Sequence, residues 1–221
     1  MFLSVCLCGG STHGFLQLAL DSLSPHLKDG LVLEFGVYFG KTLRMIAERL
    51  PEATVVGFDT FTGLPEDWHF EGRGSCEICT AHRIHPLFEP SFRNALLISH
   101  AFTDSAGGLL PPAPSNVLYE VGTFAETLPG FLERTSGPVR FVNVDCDLYS
   151  STKSIFDELG DRIVVGTVIV FDEYVMTSRW QEDEFKAFHE EVAKRGWEYD
   201  YIGISLVSGQ AAVRITAVHN S

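Results

Sequence analysis

An acidic residue followed by two glycines is the first feature of this 221-residue chain that could serve chemistry. Glu34 closes a short apolar run, and Gly36 and Gly40 follow it. Glycine allows a sharp backbone turn and a close approach by a ligand, and α/β sheets bind nucleotides at such strand-to-helix turns. We expect a ligand here, with a side chain at Gly36 filling the ligand's space and leaving the fold intact. A simple tight turn is the alternative.

Asp59 supports a nucleotide-like ligand. It ends the next apolar run, where a carboxylate can accept hydrogen bonds from both ribose hydroxyls; a helix N-cap is the alternative. The pyrophosphate pattern Gly-x-Gly-x-x-Gly is absent, because Val37 and Tyr38 stand in its central part. The nearby Glu34 carboxylate suits an amino-acid ammonium group better than a pyrophosphate. These features favour S-adenosylmethionine over a dinucleotide.

Acidic residues also end two later apolar runs. Asp145 follows one of them, and Asp172 with Glu173 follows the other. Neighbouring strands lie ~4.8 Å apart, so carboxylates at their ends converge. Three oxygen ligands suit Mg²⁺ or another divalent cation, so we predict a metal site of these three residues, with N-caps as the alternative. Asp147 either orients the substrate, acts as the base or begins the loop.

The elements that position these residues alternate along the chain. Short apolar runs predict strands at 31–35, 54–58, 116–121, 139–144 and 163–171. Amphipathic segments predict helices at 43–50, 123–133, 151–159 with Ser151 as N-cap, and 183–195. Two final runs, 199–207 and 211–215, are too close for a helix between them and predict a hairpin. The order predicts a mostly parallel α/β sheet with helices on both faces.

One segment does not fit this alternation. Residues 61–115 are too many for a bare loop, so we expect one helix plus an irregular lid. The segment contains Cys76, Cys79, His82 and His85. Ligands three residues apart on one helix rotate around its axis, whereas known zinc sites use two separated pairs. A zinc site here is therefore disfavoured.

The composition narrows the class of partner. Acidic residues number 29 and basic residues 16, a net charge of −13, which disfavours nucleic-acid phosphates and anionic membranes. No apolar run approaches the ~20 residues of a membrane span, and the first residues lack the basic start of a secretory signal. Five cysteines exclude a complete disulfide framework. We expect a cytoplasmic protein with a small-molecule partner, and assembly into a homo-oligomer is compatible with this.

Several segments together resemble the macrocin O-methyltransferase family: 33–37, 57–66, 122–124, 127–129, 145–152 and 172–174. They occur in matching order over about 31–175. The resemblance implies one class I methyltransferase domain over residues 1–221, with a Rossmann-like, mostly parallel seven-stranded sheet and a C-terminal antiparallel hairpin. It implies cofactor contacts from Glu34, Gly36, Val37, Tyr38, Gly40, Thr42, Asp59, Thr60, Gly122, Thr123, Phe124 and Asp145.

The chain departs from the family in three places. Glu173 replaces a commoner Asp, Cys146 replaces the usual Gly, and about 73–100 is extra. That stretch is either a true lid insertion or the product of faulty gene modelling. Tyr149 and Tyr174 belong either to the acceptor pocket or to the core.

The resemblance implies a metal-assisted methyl transfer from S-adenosylmethionine to a hydroxyl oxygen of a small molecule. A sugar or another vicinal diol of a natural product is the expected acceptor, with Asp145 and Asp147 as catalytic residues. A chelating metal would fix the acceptor and lower its hydroxyl pKa. The alternatives are a hydroxylase-like tailoring enzyme of the same fold and a catalytically silent cofactor-binding module. A nucleotide-dependent dehydrogenase is disfavoured by the glycine spacing and the hairpin.

Overall fold

The computed structural model describes residues 12–63, 102–103, 109–175 and 179–219. These residues contain the strands β1 (Leu31–Phe35), β2 (Val55–Asp59), β3 (Phe102–Thr103), β4 (Leu109–Leu110), β5 (Val117–Val121), β6 (Val139–Val144), β7 (Val168–Phe171), β8 (Trp197–Ile204) and β9 (Ala211–Val218). The α-helices are α1 (Thr12–Asp21), α2 (Lys41–Arg49), α3 (Phe124–Arg134), α4 (Tyr149–Leu159) and α5 (Glu184–Arg195). Short 3₁₀ segments occur at Pro25–Leu27, Gly160–Arg162 and Trp180–Glu182.

Seven strands form one sheet in the order β5-β2-β1-β6-β7-β9-β8. The five strands from β5 to β7 pair in parallel, and β9 runs antiparallel to both of its neighbours. The predicted sheet and its terminal hairpin are therefore confirmed. β3 and β4 form a separate antiparallel pair.

Alternate strand residues face two hydrophobic clusters, one on each side of the sheet. Leu33 and Phe35 contribute to the cluster that contains α3, α4 and α5 residues, and Val32 contributes to the cluster with α1 and α2. Both faces of the central strands are covered, which explains why β6 is buried at all six positions. The prediction of helices on both faces is confirmed.

Several predicted boundaries are wrong for local reasons. Helix α4 begins at Tyr149, with Leu148 rather than Ser151 as its N-cap residue. Strand β7 begins at Val168, because Gly166 turns with a φ of +96° just before it. The pattern also missed α1, whose residues Phe15, Leu16, Ala19 and Leu20 are buried. The predicted helix and lid at 61–115 and the Cys76–His85 group lie largely or wholly outside the described residues.

Candidate active site

The candidate site lies at the carboxyl edge of the sheet, where the strand order reverses. Strand β1 has β2 on one side and β6 on the other, so the turns after these strands meet. In register, Glu34 lies between Gly57 and Asn143. Open α/β sheets bind ligands at such a switch point.

The glycine turn after β1 packs directly against the turn after β6. Gly36 has a φ of +87° and Gly40 a φ of +69°, both in the left-handed region that favours glycine. A Cβ at Gly36 would overlap the backbone carbonyl of Asp145. A side chain at Gly36 therefore collides with the protein itself, and the expectation that it would leave the fold intact is wrong.

Asp59 holds the same turn from the other side. Its Oδ2 accepts hydrogen bonds from the backbone N–H groups of Val37 at 2.7 Å and Tyr38 at 3.0 Å. Its Oδ1 accepts one from the N–H of Phe61 at 2.7 Å. A carboxylate offers about four acceptor positions, so room remains for a ribose hydroxyl. The Val37 side chain itself is buried in the core, whereas Tyr38 is 40% exposed.

Glu34 is a fully buried carboxyl group with one free oxygen. Its Oε1 accepts a hydrogen bond from the Thr42 hydroxyl at 2.6 Å, while its Oε2 is buried without a hydrogen-bond partner among the described residues. Burial raises the pKa of Glu34 to about 8, against the opposing effect of Thr42 and Asn143. An unpartnered acidic oxygen suits a cationic ligand group such as an ammonium.

The start of α3 borders this edge beside β2. Gly122 donates its N–H to the Asp59 carbonyl at 3.0 Å, which joins the ends of β5 and β2. The N–H and hydroxyl of Thr123 both donate to Glu126 Oε2, at 3.1 and 2.7 Å. This bonding fixes the first turn of α3 and lowers the pKa of Glu126.

Three other predicted cofactor residues have structural contacts of their own. The Thr60 hydroxyl donates to the Gly63 carbonyl at 3.1 Å. Phe124 packs edge-to-face on Phe35, with ring centroids 5.1 Å apart. Gly40 precedes α2, and a Cβ there would lie 3.1 Å from the Pro111 side chain. Cofactor contacts by these residues stay predictions.

Three carboxylates converge after β6 and β7. Oxygen atoms of Asp145, Asp147 and Glu173 lie within 4.8 Å of one another. The two strands pair through Val144 and Phe171, so their following turns are adjacent. Burial, and then the neighbouring carboxylates, raise the pKa of Asp145 and of Glu173 well above the usual range. Within the part of the chain that the structure describes, Glu173 Oε2 is buried without a hydrogen-bond partner. Such a set of oxygens could hold a hard divalent cation.

Asp172 does not belong to that group of three. Its Oδ1 accepts a hydrogen bond from Gln210 Nε2 at 2.5 Å, which opposes the effect of burial on its pKa. The structure therefore gathers Asp147, rather than Asp172, with Asp145 and Glu173. Metal binding by any of the four stays a prediction.

Sequence reasoning missed Glu184, the first residue of α5. It is fully buried, its Oε2 accepts the Glu173 N–H at 3.2 Å, and its Oε1 has no hydrogen-bond partner in the described ranges. Burial and the carboxylates of Asp147 and Asp172 raise its pKa well above the usual range. A glutamate on the same helix face as Ala187 and Phe188 was the available signal, because these two apolar residues mark that face as buried.

A family model described as a methyltransferase domain matches residues 33–174, which include every predicted site residue. The chain belongs to this methyltransferase-domain family. Membership of this family supports S-adenosylmethionine as the cofactor. No curated protein matches its sequence.

Solved structures with the same fold include three methyltransferases. CalS11, a calicheamicin methyltransferase, is 24% identical with a TM-score of 0.56, over 92% of this chain and 80% of that one. The O-methyltransferase NovP is 21% identical with a TM-score of 0.57, over 93% and 80%. An O-methyltransferase from Bacillus cereus, in complex with SAH, is 15% identical with a TM-score of 0.54, over 96% and 84%. These likenesses establish the class I methyltransferase fold.

Tyr149 and Tyr174, the two tyrosines considered for the acceptor pocket, have different surroundings. Tyr174 is buried, and its hydroxyl is 2.8 Å from the Tyr201 hydroxyl and 3.2 Å from His189 Nε2. Tyr149 donates its hydroxyl to Glu190 at 2.6 Å and so joins α4 to α5. Tyr174 therefore packs in the core, and Tyr149 serves a helix contact. Among the described residues, none of the helices has the length and apolar character to cross a membrane.

Proposed function

We propose that this chain transfers a methyl group from S-adenosylmethionine to a hydroxyl oxygen of a small molecule, as a macrocin O-methyltransferase-like enzyme. The observation that carries the proposal is the convergence of Asp145, Asp147 and Glu173 beside the Gly36 turn. Family membership supports methyl transfer. The structural neighbour CalS11 is described as a TDP-rhamnose 3'-O-methyltransferase, which supports a sugar hydroxyl as the acceptor.

The cofactor would lie across the turn after β1. Glu34, with its free Oε2, would contact the ammonium of the methionine part. Asp59 would use its remaining acceptor position for the ribose, next to Gly122. Because Asp59 already bonds Val37 and Tyr38, the turn is formed before the cofactor arrives.

The acidic group fits a divalent cation. Asp145, Asp147 and Glu173 would hold it, because they offer oxygen donors at short mutual distance and Glu173 Oε2 has no hydrogen-bond partner among the residues described. Asp172, which accepts a hydrogen bond from Gln210, would add a negative charge next to these three carboxylates. When bound, the cation would fix the acceptor and lower the pKa of its hydroxyl.

The protein's own part in the reaction is alignment and proton removal. The acceptor oxygen forms a bond to the methyl carbon while the carbon–sulfur bond breaks and sulfur keeps the electron pair. The hydroxyl proton passes to a carboxylate, which we assign to Asp147. This residue stands on the turn beyond the end of β6, with a φ of +64°, and is only partly buried. Asp145 is closer to the strand, and its N–H is bonded to the Phe35 carbonyl.

The test is methyl transfer from labelled S-adenosylmethionine to a panel of sugar and other vicinal-diol acceptors. We expect activity that EDTA abolishes and Mg²⁺ restores. Asp147→Asn should lower turnover by roughly 10²-fold or more, since it removes a proton acceptor and a charge. Asp157→Asn, on the exposed side of α4, is the matched control and should keep full activity. Full and EDTA-resistant methyl transfer by Asp147→Asn would refute the proposed mechanism.

A further inference from the structure

Glu184 is a buried carboxylate that the proposed reaction does not use. It begins α5, and none of its surface is exposed. Its Oε2 accepts the backbone N–H of Glu173 at 3.2 Å. The backbone N–H of Cys146 also stabilises its ionised form. One side chain is therefore hydrogen-bonded to the turn after β7 and lies next to the turn after β6.

These two turns carry the three converging carboxylates. Cys146 lies between Asp145 and Asp147 in the chain, and the third carboxylate belongs to Glu173 itself. Glu184 is thus hydrogen-bonded to the backbone of one turn and lies near the backbone of the other, so the spacing between their carboxylates depends on it. A shorter or neutral side chain at position 184 would loosen that spacing.

The second carboxylate oxygen has no partner within the described residues. Glu184 Oε1 is buried without a hydrogen bond, and the charges that act on this side chain are those of Asp147 and Asp172. A buried charge without a counter-charge is costly, and is retained where a bound cation compensates it. Glu173 Oε2, beside it, is also without a partner.

We propose that Glu184 is a positioning residue of the candidate metal centre, which fixes the two carboxylate-bearing turns and adds negative charge that attracts the cation. The inference rests on the metal site of the proposed function. It differs from that proposal in naming a residue outside the turns that supply the ligands.

The test measures binding of Mn²⁺ alone to the full chain by calorimetry, together with urea unfolding without metal. Glu184→Gln keeps the shape and one oxygen acceptor but removes the charge, and Glu184→Ala removes both. We expect roughly 10-fold weaker Mn²⁺ binding for Glu184→Gln and up to about 100-fold for Glu184→Ala. Metal-free Glu184→Gln should be at least as stable as the wild type, because a like charge is gone.

The matched control is Glu191→Gln, a fully buried glutamate on the same helix that is ion-paired with three cations. It should lower stability and leave Mn²⁺ affinity unchanged. Wild-type Mn²⁺ affinity in both Glu184 variants would overturn the inference while sparing the metal site. No Mn²⁺ binding by the wild type would remove the metal site and the inference together. If Glu184→Ala does not fold, Glu184→Gln decides.

Discussion

Glu184 and Glu191 are both fully buried on helix α5, two turns apart. Glu191 accepts hydrogen bonds from Lys153 at 2.9 Å, Lys194 at 3.0 Å and Arg195 at 2.8 Å. Burial opposes ionisation of Glu191, yet the three cations together lower its pKa. Burial, and then the carboxylates of Asp147 and Asp172, raise the pKa of Glu184 well above the usual range. Both side chains lack exposed surface, and their charge states differ because three cations offset the effect of burial at Glu191 while neighbouring carboxylates add to it at Glu184.

The two buried glutamates of α5 thus have different roles, one in the stability of the fold and one at the candidate site. Around Glu191, paired charges join α4 to α5 and stabilise the fold; Lys153 and Lys194 also contact Asp157. At the sheet edge, the buried carboxyl groups of Glu34 and Glu184 and the half-buried ones of Asp145, Asp172 and Glu173 have no salt bridge within the described part of the chain. Like charges held together without compensation cost stability, and such costs persist at functional sites.

The largest loss of stability is expected from a substitution that forces the turns of the acidic sheet edge apart without changing any charge. Gly36→Ala would press a Cβ on the Asp145 carbonyl at a φ of +87°. We expect a loss of about 3–5 kcal/mol in the free energy of unfolding, from overlap plus backbone strain. Urea denaturation measures it. Gly14→Ala in α1, where nothing lies within 4 Å of the added Cβ, should instead be neutral or stabilise by up to ~1 kcal/mol. Equal stability of the two variants would contradict the close packing of the turns.

Removing the Glu191 side chain tests the ion-paired network between α4 and α5. Glu191→Ala leaves Lys153 and Arg195 without their buried partner, and their side chains are only 26% and 18% exposed. We expect a loss of about 3 kcal/mol in the free energy of unfolding. Glu158→Ala, an exposed change on α4, is the control and should stay within about 0.5 kcal/mol of the wild type. If both variants unfold alike, the network around Glu191 contributes no stability.

The pH dependence of stability sharpens the contrast. The folded pKa of Glu34 is raised to about 8 by burial, so the folded state holds a proton that the unfolded chain releases near pH 4.5. The contribution of Glu34 to the free energy of unfolding is fully present below the unfolded pKa of 4.5 and is lost as pH rises through the folded pKa of about 8. For Glu191, whose folded pKa is lowered, the contribution is lost as pH falls through that pKa.

Glu34→Gln should therefore flatten the decline of metal-free stability between about pH 5 and 8. The expected change in slope is about 1.4 kcal/mol per pH unit. Unfolding curves in EDTA at several pH values measure it. An unchanged slope would show that Glu34 is ionised in the folded protein.

Much of the fold could be predicted because its signals are local. Continuous apolar runs mark strands buried on both faces, and acidic residues directly after them mark the carboxyl edge. This argument predicts a group of Asp145, Asp172 and Glu173, of which the structure brings Asp145 and Glu173 together, with Asp147 as the third member. The predicted boundaries are wrong where a single residue decides where an element begins, as Gly166 does by turning the chain before β7.

The rest of the site depends on contacts between distant parts of the chain. Gln210, 38 residues after Asp172, binds that carboxylate, and Asp147 stands with Asp145 through a left-handed turn. Glu184 reaches Glu173 only because α5 begins beside β7's following turn. Neither periodicity nor spacing encodes such contacts, since they follow from how packed elements meet.

The position of β9 has a consequence for synthesis of the chain. This last strand lies inside the sheet, between β7 and β8, and β8 joins the sheet only through it. Until residues 211–218 have left the ribosome, β7 keeps an open apolar edge and β8 has no place to dock. The sheet therefore cannot close before β9 has been synthesised, and until then the growing chain exposes an unpaired strand edge.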